Sequence, residues 1–593
     1  MSFQLSPVEP LKLTRNCSRS PLGITHFDTR ENPFRSNGLC GNPALEKIMI
    51  SNVTATKTHG ADFDAIVIGG GFGGLYAVHK LRNEQGLHVK AYDNASDVGG
   101  TWHWNRYPGA LSDTESFCYR FSFDKELLDQ GSWQSRYLTQ PEILEYLNGV
   151  ADRFDLRSSY QFNTKIVSTR FDEATGLWHV LTDKGESASA KYLITGLGLL
   201  SAINKPRFAG IDEYRGEVYH TGAWPEGADL SGKRVGIIGT GSTGVQVIIA
   251  LAPIVQHLAV FQRSAQYVVP IGNWPEDTET IDNYKANYDE IWKQIKRSQV
   301  AFGFAESTTS GLDVSEAERD RVFEEAWQRG GGFRFMFETF TDVATSHDVN
   351  TSAANFIKRK IARIVKDPDI ARKLMPSDLY AKRPLCATDY YGVYNRKNVS
   401  LVDVKEDPIT EFTANGVSLA SGIEHELDVV IFATGFDAVD GNYTKIDIHG
   451  RGGVTIREKW ADGPLGYLGM MEADFPNMFM ILGPNGPFTN LPPSLESQVD
   501  WIADAIATME ADGRSTIEPT QAAEDEWVET CRTIANMTLF PKAESWIFGA
   551  NIPGKKNAVM FYLGGLGNYR DALQAVRESG YDSMIFDREA ILT

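Results

Sequence analysis

Cysteine is scarce in this chain of 593 residues, and its five cysteines form no C-x-x-C pair. They stand at Cys17, Cys40, Cys118, Cys386 and Cys531. Such a scatter excludes a zinc knuckle and a dithiol redox centre, and no metal site is predicted. Sparse, unpaired cysteines are typical of proteins in a reducing compartment, so we expect a cytoplasmic location.

Long apolar runs and an excess of positive charge are also missing. No stretch approaches the roughly 20 apolar residues that a bilayer-spanning helix needs, so no membrane association is expected. The net charge of −19 argues against nucleic acid as a partner because nucleic acid is itself anionic. The composition is that of a globular protein, and 593 residues are too many for one core. Two or three domains are therefore expected.

The first 61 residues differ from the rest because prolines interrupt them and polar residues dominate. They contain no apolar signal-peptide core. We predict a poorly ordered N-terminal extension over residues 1–61 and treat Met49 as an alternative start of the native protein.

The folded part opens with an apolar strand, a glycine-rich turn and a helix. The turn places Gly69, Gly71 and Gly74 in the spacing G-x-G-x-x-G, and Asp93 ends the next strand. Glycine lets the backbone approach a pyrophosphate, and the helix N-terminus supplies N–H donors and a partial positive charge. A strand-end carboxylate accepts hydrogen bonds from a ribose 2′-hydroxyl. This unit therefore predicts a dinucleotide site of the kind that FAD occupies.

A second unit of the same kind begins at residue 233. Its glycine turn runs from Gly239 to Gly244, and Arg263 and Ser264 stand where the first unit has its acid. A carboxylate would repel a 2′-phosphate, whereas a guanidinium and a hydroxyl bind it. The second unit therefore predicts a site for NADPH in preference to NADH.

Together these units predict an α/β fold with two Rossmann-like dinucleotide-binding domains, for FAD and NADP, and a helical insertion. The insertion is indicated by amphipathic patterns, one opened by Ser315 and closed by Gly330, and another over residues 355–374. Its Arg and Lys residues are expected on a solvated face. The predicted boundaries are 62–200 and 431–593 for the FAD domain, 201–272 and 377–430 for the NADP domain, and 273–376 for the insertion.

A short aromatic segment, Tyr214-x-Gly216-x-x-x-His220-x-x-x-Trp224, lies between the two glycine turns. A linker at this place would set how one bound dinucleotide faces the other. An ordinary strand and turn with a buried His and Trp explains the pattern equally well. The spacing resembles the signature of type I Baeyer–Villiger monooxygenases, with Tyr214 where that family usually has Phe.

Two further segments resemble the same family. The loop from Gly99 to Asp113 matches its signature G-G-x-W-x-x-x-x-Y-P-G-x-x-x-D at every position, and Lys382 and Arg383 match its Lys-Arg pair before a proline. Core packing is the alternative for Trp102. A solvated surface is the alternative for Asp113 and for the two cations.

The resemblance covers residues 62–590 and is nearest to the cyclohexanone monooxygenase branch. It implies bound FAD, NADPH as electron donor, O2 as co-substrate, and conversion of a cyclic ketone to a lactone through a C4a-peroxyflavin, with sulfides as further substrates. It also implies two catalytic residues. Arg383 would hold the negative charge of the activated oxygen, and Asp113 would orient Arg383. A monomer is expected.

Spacing and resemblance together give the other candidate positions. The cofactor-binding residues are predicted as Gly69, Gly71, Phe72, Gly74, Asp93, Thr101, Trp102, Asp113, Tyr119, Ile166, Gly239, Thr240, Gly241, Ser242, Thr243, Gly244, Gln246, Arg263, Ser264, Lys382, Arg383 and Trp546. The hinge is assigned to Gly216, His220 and Trp224. The substrate pocket is assigned to Leu199, Phe488, Thr489, Leu491 and Phe561.

Three other functions stay open. A flavin monooxygenase that oxidises nitrogen or sulfur atoms would use the same scaffold. A two-nucleotide reductase that passes electrons to a disulfide or a protein partner is disfavoured by the missing C-x-x-C pair. A nucleotide-sensing binding protein would be excluded by a yellow preparation that NADPH bleaches.

Overall fold

In the computed structural model of this chain, the structure describes residues 60–588. Nearly all of the predicted extension, Met49 included, lies outside the described residues. Two sheets built mainly from parallel strands organise the described part of the chain, and each contains one of the predicted strand–turn–helix units.

The larger sheet has eight strands. Its first strand in the chain, Phe63–Ile68, lies inside the sheet and pairs in parallel with Val89–Tyr92 on one side and with Ser187–Thr195 on the other. Ala65, Ile66 and Val67 are fully buried because a parallel sheet is covered on both faces. The strand order is Asp447–His449, Ile166–Asp172, Leu177–Thr182, Ser187–Thr195, Phe63–Ile68, Val89–Tyr92 and Tyr160–Gln161, with Met478–Met480 pairing with Ser187–Thr195.

The second sheet has five strands, all parallel. The segment predicted as a linker supplies an edge strand, and His220 ends it opposite Phe432. The predicted domain boundary after residue 430 falls inside a strand, because the pairing continues to Phe432 beside Ile238. The strand order is Val399–Asp403, His257–Gln262, Arg234–Ile238, Val429–Phe432 and Glu217–His220.

The region predicted as a helical insertion is helical. The Ser315 hydroxyl accepts a hydrogen bond from the N–H of Glu318, and Gly330, with φ +76°, follows the last helical residue. The helix predicted over residues 355–374 is two helices, because Asp367 caps a new helix that begins with proline. The α-helices here are Thr278–Ala286, Tyr288–Ile295, Glu316–Arg329, Gly332–Phe337, His347–Ile364 and Pro368–Leu374.

The remaining elements cover and connect the two sheets. The other α-helices are Phe72–Val78, Thr101–Trp104, Lys125–Gln130, Gln140–Arg153, Ser242–Leu251, Ile456–Lys459, Leu491–Asp512, Gln521–Asn536 and Leu566–Glu578. The short strands are Leu111–Glu115 with Tyr137–Thr139, Val268–Pro270 with Leu385–Ala387, Ile409–Phe412 with Gly416–Leu419 and Glu424–Glu426, Gly486–Pro487 with Phe561–Tyr562, and Arg514–Pro519 with Met584–Arg588. Over residues 60–588, no helix has the length and apolar character needed to span a bilayer.

Candidate functional site

The first glycine turn brings the backbone close to the neighbouring chain. Gly69 has φ +116°, and a Cβ there would lie 2.2 Å from the carbonyl oxygen of Gly196. A Cβ at Gly74 would lie 1.8 Å from the carbonyl oxygen of Gly69. Only glycine fits at these two positions. The start of the helix Phe72–Val78 therefore keeps its N–H groups open to a pyrophosphate.

Asp93 ends the second strand, as predicted, and its carboxylate is turned toward the glycine turn. One oxygen accepts the N–H of Gly70, and the other accepts the N–H of Ala95 at 2.7 Å. Burial raises the pKa of this carboxyl group above its usual value. Each carboxylate oxygen has a second lone pair. Asp93 can therefore fix the turn and still accept a hydrogen bond from a ribose hydroxyl.

The second glycine turn repeats the first. Gly239 has φ +111°, and a Cβ there would lie 2.4 Å from the carbonyl oxygen of Ala433. A Cβ at Gly244 would lie 2.3 Å from the carbonyl oxygen of Gly239. Gly241 is the N-cap of the helix whose first residues are Ser242 and Thr243. Apart from its chain neighbours, no atom lies within 4 Å of a Cβ placed on Gly241. Both turns therefore have the shape that a dinucleotide needs.

Arg263 and Lys382 differ in how free they are to bind a phosphate. Arg263 is exposed just past the strand His257–Gln262 and, among residues 60–588, makes no side-chain hydrogen bond or ion pair. Lys382 lies beside the adjoining segment 265–267, but its Nζ is 2.5 Å from a carboxylate oxygen of Asp378. A 2′-phosphate on Lys382 would therefore compete with Asp378. The hydroxyl of Thr240 donates to the carbonyl oxygen of Ser264 at 3.0 Å and fixes this turn.

Gln246 joins the two nucleotide units. Its side-chain amide donates to the carbonyl oxygen of Leu111 at 3.0 Å, and its amide oxygen accepts the hydroxyl of Tyr107 at 2.8 Å. A Cβ at Gly109 would lie 2.9 Å from the backbone carbonyl oxygen of Gln246. The side chain predicted to contact a cofactor thus bonds to the loop that leads to Asp113.

Arg383 and Asp113 form a bidentate ion pair. Nη1 of Arg383 bonds one carboxylate oxygen, and Nη2 bonds the other at 3.1 Å. Burial alone would lower the pKa of Arg383, but the charge of Asp113 and these hydrogen bonds outweigh it and raise that pKa. The guanidinium therefore stays charged. Its Cζ lies 5.4 Å from the centre of the Phe333 ring.

Three aromatic side chains predicted to bind a cofactor, Phe72, Trp102 and Tyr119, lie together. The indole N–H of Trp102 donates to the hydroxyl of Tyr119 at 3.1 Å, and the Phe72 and Tyr119 rings are 5.4 Å apart. Thr101 is exposed at the start of its short helix. The side chain of Ile166 is buried in the core under the sheet, so only its backbone can face a cofactor.

The segment predicted as a hinge is held firmly at its strand. Trp224 is buried with its ring 5.4 Å from that of Tyr219, and a Cβ at Gly216 would lie 2.2 Å from the Tyr214 hydroxyl. That hydroxyl, which the usual Phe would lack, donates to the carbonyl oxygen of Leu427 at 2.9 Å. Burial lowers the pKa of His220 to about 4, so this ring is neutral at pH 7.

Comparison with known proteins gives the family. Residues 64–274 match the flavin-binding monooxygenase-like family. A Baeyer–Villiger monooxygenase from Pseudooceanicola batsensis is 71% identical over 535 residues, which cover 90% of this chain and 98% of that protein. A phenazine N-monooxygenase from Lysobacter antibioticus is 53% identical over 529 residues, 89% of this chain and 97% of that one.

A solved structure gives the same result. Cyclohexanone monooxygenase from Rhodococcus sp. Phi1, bound to NADP+, is 60% identical to this chain with a TM-score of 0.88, and the match covers 89% of this chain and 99% of the other. This chain belongs to the Baeyer–Villiger monooxygenases. The predicted family and the predicted α/β fold with two Rossmann-like domains are both confirmed.

Aromatic side chains form an apolar wall next to Arg383 of this Baeyer–Villiger monooxygenase. The ring of Phe488 lies 5.3 Å from Phe561 and 6.4 Å from Phe333, and Phe561 lies 6.1 Å from Trp546. Phe333 stacks on Phe302 with ring centres 4.0 Å apart. The pocket predicted around Phe488 and Phe561 is thus an aromatic cluster that reaches Arg383 through Phe333.

The other predicted pocket residues are arranged less simply. Leu199 is half-buried against the same core as Phe488 and Phe561, whereas Leu491 packs against the core of the FAD unit, together with Phe72. The hydroxyl of Thr489 bonds the Ser494 hydroxyl within the protein.

Sequence reasoning missed Phe302, Phe333 and Arg334, which all lie in the predicted insertion. Arg334 is half-buried in an ion pair with the buried Glu115, so the expectation of a solvated cationic face in this region is wrong for this residue. The only local signal is the run of three glycines at 330–332, which marks a turn before Phe333.

Proposed function

We propose that this Baeyer–Villiger monooxygenase converts cyclohexanone-like cyclic ketones to lactones with bound FAD, NADPH and O2. The balance is one ketone, one O2, one NADPH and one proton giving one lactone, one NADP+ and one water. The two glycine turns are evidence for two dinucleotide sites, because Gly69, Gly74, Gly239 and Gly244 leave no room for a Cβ. The observation that carries the proposal is the Arg383–Asp113 pair beside an aromatic wall.

Bound flavin would take electrons from NADPH and supply the activated oxygen. The task of the protein is to hold negative charge on that oxygen while it attacks a carbonyl carbon. A guanidinium has five N–H donors, and Asp113 engages two of those of Arg383. The other three remain for an anionic oxygen, and a charge fixed in a water-poor site stabilises it far more strongly than water would.

Asp113 contributes through Arg383. The bidentate contact restrains both the position and the plane of the guanidinium, so its donors do not have to reorganise during the reaction. The wall formed by Phe302, Phe333 and Phe488 excludes water and favours an apolar ring as the substrate.

NADPH, rather than NADH, is the proposed donor because Arg263 is exposed just past its strand and has no side-chain partner within residues 60–588. A cytoplasmic location and a monomeric state belong to the same proposal. The cysteines of the described chain, Cys118, Cys386 and Cys531, are free, which supports a reducing compartment.

Oxidation of nitrogen or sulfur is a second candidate, and the identity to a phenazine N-monooxygenase supports it. Such lone-pair substrates attack the oxygen themselves and do not need it as an anion. The two activities should therefore respond differently to loss of Arg383.

The test is the substitution Arg383→Ala. We expect the variant to consume NADPH and to lose lactone formation by on the order of 10²–10³-fold, the usual effect of removing one charge-stabilising donor. NADPH loss is followed by absorbance, and products from cyclohexanone and a sulfide are identified by mass. Arg396→Ala, at an exposed arginine, is the control. Undiminished lactone formation in Arg383→Ala would disprove the role of Arg383.

A further inference from the structure

A buried network of ion pairs begins two residues after Asp113. Glu115 is 4% exposed, and its Oε1 accepts hydrogen bonds from Nη2 of Arg136 at 2.9 Å and from Nε of Arg334 at 2.6 Å. Arg334 also bonds both carboxylate oxygens of Glu338, at 3.1 and 3.2 Å. One carboxylate thus holds two guanidinium groups that come from distant parts of the chain.

Arg334 lies next to the catalytic pair. It follows Phe333, whose ring faces the guanidinium of Arg383. Asp113, Glu115 and Arg334 border one small cavity together with aromatic side chains. Asp113 and Glu115 are the only carboxylates that line this cavity within residues 60–588.

Burial and the neighbouring carboxylate have opposite effects on the charge of Arg334. Burial alone would lower the pKa of Arg334, but the charge of Glu115 and its hydrogen bond outweigh burial and raise that pKa, so the guanidinium stays cationic. Without the charge of Glu115, Arg334 keeps only its longer contacts with Glu338, at 3.1 and 3.2 Å. A largely buried cation that loses one of its two counter-charges is stabilised by approaching another carboxylate. For Arg334, the other carboxylate on the cavity wall is Asp113.

We propose that Glu115 is a positioning residue: it holds Arg334 away from Asp113, so that Asp113 pairs with Arg383 alone. The consequence for lactone formation rests on the function proposed above. If the charge of Glu115 is lost, Asp113 is shared between two cations, and the plane of Arg383 is no longer fixed. NADPH, a proton and O2 then give NADP+ and hydrogen peroxide, and no oxygen atom is inserted beside the carbonyl carbon of the ketone.

The first test is Glu115→Gln, which removes the charge and keeps the shape. We expect lactone formed per NADPH consumed to fall at least fivefold, with hydrogen peroxide rising in step. The rate of flavin reduction by NADPH should change by less than twofold, because the donor site is untouched.

The double variant Glu115→Gln with Arg334→Gln separates this mechanism from simple destabilisation. Removing the competing cation should return the coupling ratio to within about twofold of the parent. A merely structural role predicts that the double variant is coupled no better than Glu115→Gln, and that result would overturn the proposal. If Glu115→Gln does not retain flavin, the double variant decides alone, since a coupling loss above about twofold in it contradicts the proposal.

Glu518→Gln is the matched control. Glu518 is also 4% exposed and accepts the Nε of an arginine, Arg451, at 2.6 Å. Within the described chain its partners are Arg451 and the N–H of Asp474, and neither contacts Arg383 or Asp113. A similar loss of thermal stability with normal coupling is expected here. Uncoupling equal to that of Glu115→Gln would overturn the proposal.

A crystal structure of Glu115→Gln tests the inference independently of the reaction. Arg334 turned toward Asp113 supports it, and Asp113 still paired with Arg383 alone overturns it. A parent enzyme that makes no lactone from any cyclic ketone would instead overturn the proposed function, and the crystal structure would still decide the role of Glu115.

Discussion

Replacing Gly69 by alanine should abolish flavin retention without unfolding the second nucleotide unit. The backbone at Gly69 has φ +116°, which costs an L-residue roughly 1–3 kcal/mol. An empty turn can open and relieve that strain, whereas a turn that holds FAD cannot. At about 1.4 kcal/mol per tenfold, the strain alone therefore weakens FAD binding by roughly 5- to 150-fold. The added Cβ would also lie 2.2 Å from the carbonyl oxygen of Gly196, so the turn must open.

The assay is bound flavin per polypeptide, measured by absorbance after gel filtration, with NADPH binding measured separately. Gly86→Ala is the control, since Gly86 has φ +75° but no other atom within 4 Å of the added Cβ. It should cost stability and keep flavin. Gly239→Ala should show the converse pattern, with flavin retained and NADPH binding weakened. Full flavin content in Gly69→Ala would refute the steric reasoning.

Two further predictions concern the second nucleotide unit and the segment before it. Arg263→Ala should raise the KM for NADPH by roughly 10- to 150-fold, because a hydrogen bond to a charged group is worth about 1.5–3 kcal/mol. The KM for NADH should stay unchanged, and equal effects on both would disprove the phosphate role. Burial lowers the pKa of His220 to about 4 from 6.5, so the unfolded chain takes up the proton more readily. The contribution of neutral His220 to the free energy of unfolding is complete above pH 6.5 and is lost as the pH falls toward 4. The loss between pH 7.5 and pH 5 amounts to about 2 kcal/mol. Denaturant unfolding of His220→Asn should lack that part of the pH dependence, and identical pH profiles for parent and variant would contradict it.

The nucleotide turns could be predicted because everything that defines them is local. Strand, glycine spacing, helix and strand-end residue follow one another within one short segment, and each has its own physical signature. The partners that make glycine obligatory could not be predicted. Gly196 and Ala433 supply the facing carbonyl oxygens from more than a hundred residues away, and no pattern in the turns points to them.

Paired side chains show the same limit. Arg383 and Asp113 were matched only through resemblance to a family, because 270 residues separate them. Glu115 and Arg334 match no motif, so the buried network escaped prediction entirely. Spacing and resemblance predict Gln246 as a cofactor ligand, whereas its bonds to Tyr107 and Leu111 depend on how the two units pack.

The strand order of the larger sheet has a consequence for biosynthesis. Its first strand, Phe63–Ile68, is made early, whereas Met478–Met480, which pairs with the neighbouring strand Ser187–Thr195, is made near the end. At about 5–20 residues per second, the ribosome takes on the order of 20–80 s to cover that interval. Throughout that time Leu193–Thr195 lacks this strand partner, so the nascent chain exposes an unpaired apolar strand segment that ribosome-associated chaperones should bind.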